Sequence, residues 1–260
     1  RVTVPAGPVC CGLTWISTGQ LTVARAVLRR TVTALRPYLD AGVPVVGLEP
    51  SCTAVLRSDA RELFPDDPDV LRLRDQTGTL TELLNDRTPD WQPPLVPGKA
   101  IVQTHCHQHA ILGTAADAAV LARIGVDARF LDSGCCGLAG NFGFEQGHYD
   151  VSVACAERVL LPAVRDAPEE TVVLADGFSC RTQIDQGNAH GRRAMHLAEL
   201  LHAGLTHAPS SPRPERQWAR RPEPPSRRAR FGALAAVAGG LAGVGGLVAG
   251  AITRSPTRRR

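Results

Sequence analysis

The stretch DSGCCGLAGNFGFE, residues 132–145, places two adjacent cysteines against a glycine and follows them with further glycines. The four letters CCGL occur at residues 10–13 and again at 135–138. Each copy leads into a helical pattern, and a later run of β-branched residues ends at a single cysteine, Cys52 or Cys180. We therefore predict two copies of one α/β module that are related by pseudo-symmetry.

The rest of the chain alternates short β-branched runs with longer amphipathic patterns, which favours an α/β fold with short parallel sheets flanked by helices. Strands are predicted at residues 43–50, 100–105, 127–132 and 171–176. Helices are predicted at Thr18–Leu39, Val70–Leu84, Ala110–Arg123, Tyr149–Arg165 and Met195–Leu205.

Composition divides the chain into four segments. Residues 1–90 form the first predicted module, which we expect to be truncated at its N-terminus, and residues 99–206 form the second. The proline-rich segment between them suits a linker. Residues 207–230 are rich in Pro, Ser and Arg, which predicts a disordered linker.

Residues 231–252 contain no charged residue and are long enough, at roughly 33 Å as a helix, to cross the hydrocarbon core of a bilayer. Their many glycines and alanines are equally typical of a low-complexity tail. If the segment spans a membrane, the arginines before it would keep the body cytoplasmic, attached to the inner face of the cell membrane.

The net charge of +4 belongs to the C-terminal tail. Residues 213–260 carry 11 arginines and two glutamates, and the remainder carries 18 basic and 23 acidic residues. Aromatic residues make up only 4% of the chain, and no basic stripe runs through the body. This pattern argues against nucleic-acid binding.

The cysteines have three readings that need no redox chemistry. Adjacent cysteines bond to each other only in a strained ring, so a disulfide framework is disfavoured. Structural zinc usually shows a C-x2-C spacing, which is absent from this sequence. Plain packing suits Cys155, which lies in the middle of a predicted helix.

The remaining cysteines suit a soft-metal site. Three predicted strands of the second module end near them, and the carboxyl ends of parallel strands meet at one edge of a sheet, where open α/β sheets place their ligands. Thiolates from separate segments favour an iron–sulfur cluster. Gly137, and Gly12 in the first copy, would let the backbone aim N–H groups at the cluster. The candidate metal ligands are Cys106, Cys135, Cys136 and Cys180 in the second module and Cys10, Cys11 and Cys52 in the first.

These motifs resemble the cysteine-rich CCG-domain family, which includes the iron–sulfur subunit of glycolate oxidase and the CCG subunit of heterodisulfide reductase. The stretches LDSGCCGLAGNFGFE, THCHQHA, ACAERVLLPAV and LADGFSCRTQI are most similar to the C-terminal iron–sulfur region of fused FAD-binding 2-hydroxyacid (D-lactate-type) dehydrogenases. The resemblance covers about residues 1–205.

The resemblance implies an electron-transfer module that passes electrons from a flavin to a quinone or another respiratory acceptor. It implies a [4Fe–4S] cluster in the second module, with the FAD in an upstream domain or a partner chain and no catalytic residue here. Heterodisulfide reductase members close each module with C-x-x-C, whereas this chain has Glu49 and Gly177 three residues before Cys52 and Cys180. A thiol/disulfide catalyst or a non-catalytic assembly partner are the alternatives.

Polar residues near the cysteines add further candidates. His105 and His107 flank Cys106, and they could ligate the cluster, hydrogen-bond its sulfides or cap the following helix. Glu145 and His148 could relay protons or be polar groups of a loop. His105 and His107 are therefore predicted to be cofactor-binding residues, whether as ligands, as hydrogen-bond partners of the sulfides or as caps of the following helix.

Overall fold

Two small parallel β-sheets organise the chain, one in residues 2–88 (the first half) and one in residues 90–206 (the second half). A computed structural model describes residues 2–88, 90–187, 191–206 and 214–218, without the side chains at 216 and 217. The chain divides into two units, residues 1–220 and 221–260, and the second unit lies outside the described residues.

The first half pairs two short strands in parallel, with Val45 opposite Thr77. Helices precede, separate and follow them. Its elements are α1 (Leu13–Ser17), α2 (Leu21–Asp40), β1 (Val45–Gly47), α3 (Pro50–Arg57), α4 (Asp59–Leu63), α5 (Pro68–Gln76), β2 (Thr77–Thr79) and α6 (Leu80–Asp86).

The second half builds a three-stranded parallel sheet in the order β4-β3-β5. A π-helical turn, Gln108–Leu112, follows β3, and a 3-10 turn, Phe142–Phe144, precedes α8. Its other elements are β3 (Gly98–Val102), α7 (Ala115–Arg123), β4 (Val126–Phe130), α8 (Tyr149–Glu157), α9 (Leu160–Asp166), β5 (Val172–Leu174), α10 (Phe178–Gln186) and α11 (Leu197–Leu205).

The two halves repeat a local pattern. In the first half, β1 precedes Cys52 and pairs in parallel with β2. In the second half, β5 precedes Cys180, and Leu174 of β5 forms a single parallel bridge with Met195. A helix with a capping box follows β2 and another follows Met195. In α6 the box is formed by Thr79 and Glu82, and in α11 by His196 and Glu199. The predicted α/β architecture of short parallel sheets flanked by helices is confirmed.

Three apolar clusters form the core. One fills the first half, between α2 and the α3–α5 region. The other two cover opposite faces of the second sheet, because side chains alternate along a strand. Ile101 of β3 faces the cluster that contains Cys136 and Cys180, whereas Ala100 and Val102 face the cluster beneath α7 and α11.

Two predicted helices are each divided into two α-helices. Val70–Leu84 breaks at β2, because buried Thr77 pairs with β1 and the hydroxyl of Thr79 caps α6. Tyr149–Arg165 breaks between α8 and α9, because Pro162 has no N–H for a helical bond to Arg158 and its ring would clash with that carbonyl.

Part of the predicted C-terminal linker is described. Residues Pro214–Trp218 form α12, where the buried carboxylate of Glu215 pairs with the buried guanidinium of Arg192. No helix among the described residues is long and apolar enough to cross a membrane. The candidate membrane span at 231–252 and the rest of the predicted linker lie outside the described residues.

Candidate metal centre

Four cysteine thiols of the second half meet in one cluster, which we call the second thiol centre (Cys106, Cys135, Cys136 and Cys180). The thiol of Cys135 interacts with those of both Cys106 and Cys136, and the thiol of Cys136 also interacts with that of Cys180. Cys136 and Cys180 are buried, and the other two are half-buried. The structure thus brings together the four thiols that the sequence predicts as one ligand set.

Three parallel strands deliver these thiols to the same edge of the sheet. Cys106 opens a helical turn four residues after β3, and Cys135 and Cys136 lie in the loop after β4. Cys180 is the third residue of α10, which follows β5. Cys106 and Cys180 therefore lie in the first turn of a helix rather than at the end of a strand.

A buried polar contact holds two of these loops together. The hydroxyl of Ser133 donates a hydrogen bond to the side-chain oxygen of Gln103 at 2.6 Å, and both residues are buried. Ser133 lies two residues before Cys135 and Gln103 three before Cys106. This contact fixes the spacing between the segments that carry the two thiols.

The thiols cannot all ionise by themselves. Hydrogen bonds from Cys106 and Cys136 hold the pKa of Cys135 well below its ordinary value. The bond with Cys135 raises the pKa of Cys106, and bonds with Cys135 and Cys180 raise that of Cys136, with burial adding to both shifts. One thiolate is therefore stabilised by protonated neighbours, and four thiolates need a positive charge among them.

A smaller cluster in the first half, the first thiol centre, contains Cys10, Cys11 and Cys52. The Sγ atoms of Cys11 and Cys52 lie 3.2 Å apart and share a hydrogen bond. This bond is the main reason that the pKa of Cys11 falls to about 7 while that of Cys52 is raised. Cys10 is exposed at the edge of the centre.

The CCG glycines have the same geometry in both halves. Gly12 and Gly137 have φ of 82° and 90°, in the left-handed region. Each donates its N–H to the sulfur of the first cysteine of its pair, at 3.4 Å to Cys10 and 3.3 Å to Cys135. A β-carbon at Gly137 would meet the carbonyl oxygen of Ser152 in α8 at 2.0 Å, so this glycine also permits close helix packing.

The histidines beside Cys106 lie at the second thiol centre. Buried His105 accepts the backbone N–H of His107 on Nδ1 at 3.2 Å, and burial lowers its pKa. Nδ1 of His107 is buried and has no hydrogen-bond partner among the described residues. The ligand atoms of His105, Cys106 and His107 all lie within 4.8 Å of one another, close enough to hold one metal ion.

The other predicted polar pair lies on a loop. His148 Nδ1 is 3.1 Å from the carboxylate of Glu145, and its ring stacks on Phe142 at 4.3 Å. Both side chains are more than 40% exposed. The two residues therefore contact each other at an exposed position of the loop.

Sequence reasoning treated Glu49 and Gly177 only as replacements for cysteine. In the structure the carboxylate of Glu49 accepts the N–H of Phe178 at 2.7 Å, which joins the two halves beside their thiols. A β-carbon at Gly177 would lie 2.3 Å from the ring of His105. The sequence indicates a role for these two residues only through their position, because each lies immediately before a helix that carries a cysteine.

A buried polar network between the halves was also missed. Asp117 accepts hydrogen bonds from Thr81 and Gln108, and His196 contacts the carbonyl oxygen of Leu48 at 2.8 Å. Burial is the main reason that the pKa of Asp117 is raised. No motif marks these residues in the sequence, because their partners come from distant segments.

The fold and the thiol clusters define a class of protein: an α/β protein with cysteine thiols gathered at the carboxyl edge of parallel strands. No family model matches the chain. It is 30% identical over 203 residues to a subunit of the anaerobic glycerol-3-phosphate dehydrogenase of Escherichia coli K12, a match that covers 75% of the chain and 49% of that protein. The chain thus spans about half the length of this relative.

Two further relatives extend the comparison. The chain is 31% identical over 182 residues to D-2-hydroxyglutarate dehydrogenase of Pseudomonas putida, which covers 68% of the chain and 17% of that protein. It is 28% identical over 222 residues to lactate utilization protein A of Bacillus velezensis, which covers 78% of the chain and 87% of that protein. The predicted resemblance to the CCG-domain iron–sulfur proteins is confirmed, and the chain is related to components of redox enzymes.

Proposed function

We propose that this chain is the iron–sulfur electron-transfer module of an FAD-linked 2-hydroxyacid oxidoreductase of the lactate or glycolate type. The observation that carries the proposal is the second thiol centre, in which four thiols from three strand ends meet in a largely buried cluster. The names of two relatives support the substrate class, since lactate and 2-hydroxyglutarate are both 2-hydroxy acids.

The donor set fits a [4Fe–4S] cluster, which would be held by Cys106, Cys135, Cys136 and Cys180. Cluster iron is typically bound by four thiolates, and its positive charge would allow all four thiols to ionise together. Such a cluster accepts and releases one electron at a time. The first thiol centre, with Cys10, Cys11 and Cys52, would hold a second cluster with one thiolate fewer.

Backbone and histidine donors would tune the cluster. Gly12 and Gly137 direct N–H groups at cysteine sulfur in their respective centres, and such bonds stabilise thiolates. His107 has a buried ring nitrogen free to serve a sulfide, whereas Nδ1 of His105 is already occupied. We assign both histidines to hydrogen bonding around the cluster rather than to iron ligation.

The electrons would come from FAD in an upstream domain or partner chain and pass to a quinone or another respiratory acceptor. The relatives support a dehydrogenase partner, because two of them carry the name of a dehydrogenase. In this proposal residues 1–90 and 99–206 are the two CCG modules. The body would work in the cytoplasm at the inner face of the membrane, attached through residues 231–252.

A thiol/disulfide catalyst of the heterodisulfide reductase type is disfavoured by the position of His105. Its ring fills the space where a side chain at Gly177 would project, so no first cysteine of a C-x-x-C pair fits there. If the protein reconstituted with its cluster reduces a disulfide substrate with turnover, the thiol/disulfide catalyst becomes the favoured function.

Metal analysis of the full chain tests the proposal. After anaerobic reconstitution with iron and sulfide, we expect about four iron and four acid-labile sulfide per chain in the second centre. The matched control is Cys155→Ser, which changes a half-buried cysteine outside both centres and should retain the iron. Zinc in place of iron, or fewer than about two irons per chain, contradicts the proposal. Unchanged electron transfer in a Cys135→Ser, Cys136→Ser variant would instead favour a non-catalytic assembly partner.

A further inference from the structure

We propose that Glu49 is a positioning residue that joins the helix starts carrying Cys52 and Cys180, and that its negative charge lowers the reduction potential of the second thiol centre. The positioning part follows from the geometry alone. The potential part rests on the proposed iron–sulfur function.

The two helix starts are equivalent. Glu49 is the N-cap of α3 and Gly177 is the N-cap of α10, and in each helix the lone cysteine is the third residue. The first two helical residues also correspond, since Pro50 and Ser51 match Phe178 and Ser179 in position. Both helices thus present a thiol from their first turn.

One carboxylate serves both of these helix starts. In α3, Glu49 Oε1 accepts the N–H of Ser51 at 3.4 Å and its hydroxyl at 2.8 Å. Glu49 Oε2 accepts the N–H of Phe178, the first residue of α10, at 2.7 Å. A carboxylate at a helix N-terminus satisfies unpaired N–H groups and complements the helix dipole.

The second helix needs this external cap because its own N-cap residue has no side chain. A β-carbon at Gly177 would lie 2.3 Å from the ring of His105, so a capping side chain does not fit at that position. Gly177 accordingly makes no side-chain cap. Glu49, in the first half, therefore provides the helix cap that the contact with His105 prevents at Gly177 in the second half.

The carboxylate of Glu49 lies at the start of both helices that carry the lone cysteines. Glu49 is three residues before Cys52, and it accepts the N–H of Phe178, which is two residues before Cys180. A negative charge beside a metal centre disfavours the addition of an electron, which lowers the reduction potential.

Two variants separate the charge from the cap. Glu49→Gln removes the charge and keeps a carbonyl oxygen that accepts an N–H, whereas Glu49→Ala removes both. Glu62→Gln is the matched control, since it makes the same charge change at an exposed position of α4. All three are compared with the wild-type full chain.

The first measurement is hydrogen exchange of the Phe178 amide in the cluster-free protein. We expect Glu49→Ala to increase its exchange rate about fivefold, the size of effect that loss of a helix cap produces. Glu49→Gln should give a smaller increase, and Glu62→Gln none. Unchanged exchange in Glu49→Ala would overturn the positioning role.

The second measurement is the midpoint potential of the reconstituted cluster, followed by electron paramagnetic resonance. We expect Glu49→Gln to shift it to a more positive value and Glu62→Gln to leave it unchanged. Equal potentials in the wild type and Glu49→Gln would overturn the charge role. If the wild type assembles no cluster, the proposed function and the charge role both fail, and hydrogen exchange still decides whether Glu49 caps α10.

Discussion

The two thiol centres share a design and differ in how many strands supply them. In the second half, β4, β3 and β5 run in parallel and bring four thiols to one edge. In the first half, the described residues form only β1 and β2, and three cysteines gather there, of which Cys10 is exposed. Each thiol of the second centre thus follows a strand of one sheet, whereas in the first centre only Cys52 follows a described strand, β1.

The centres also differ in how tightly the CCG glycine is packed. A β-carbon at Gly137 would lie 2.0 Å from a backbone oxygen of α8, whereas one at Gly12 would lie 3.5 Å from the nearest atom, in α2. The same sequence motif therefore sits in a tight contact in one half and an ordinary contact in the other. This difference teaches that the motif fixes the local backbone, and that the neighbouring helix decides how strictly glycine is required.

Iron content should show the largest difference between the centres. We expect Cys136→Ser to remove the iron of the second thiol centre, which is the larger share of the iron that the reconstituted chain binds, because Cys136 contacts both Cys135 and Cys180. Cys11→Ser should leave most of the iron in place. Colorimetric iron and sulfide analysis measures both, and equal losses in the two variants would contradict the comparison.

Stability should show the next largest difference. Gly137→Ala combines a left-handed backbone with a severe clash, and we expect it to lower the free energy of unfolding by about 3–5 kcal/mol. Gly12→Ala has only the backbone strain, and we expect about 1 kcal/mol. Urea denaturation of the cluster-free protein gives both values, and similar losses would show that the contact with α8 is unimportant.

Thiol ionisation should show the smallest difference. In the cluster-free protein the pKa of Cys11 is about 7 because of its hydrogen bond with Cys52, so thiolate absorbance should rise through about pH 7. Cys52→Ala removes that bond and should move this step to higher pH. Cys52→Ser retains a donor and should keep the step near its wild-type position. If thiolate absorbance rises at the same pH in Cys52→Ala and Cys52→Ser, the ionisation near pH 7 belongs to a thiol other than Cys11.

Much of the architecture could be predicted because it depends on local pattern. The β-branched runs before Cys106 and Cys180 predict β3 and β5, and the repeated CCGL predicts two related halves. The breaks at Thr77 and Val159 were missed because the pattern continues through them. Strand pairing with β1 decides the first break, and the geometry of Pro162 decides the second.

The sequence by itself determined which thiols could meet, because the carboxyl ends of parallel strands share one edge and the CCG glycine fixes the turn between them. Only the tertiary structure decided that Glu49 would cap α10 across 129 residues, and that the ring of His105 would fill the space at Gly177. The physical reason is range. Periodicity and turn chemistry act over a few residues and can be read along the chain, whereas a cap or a steric contact between distant segments exists only once both halves are packed.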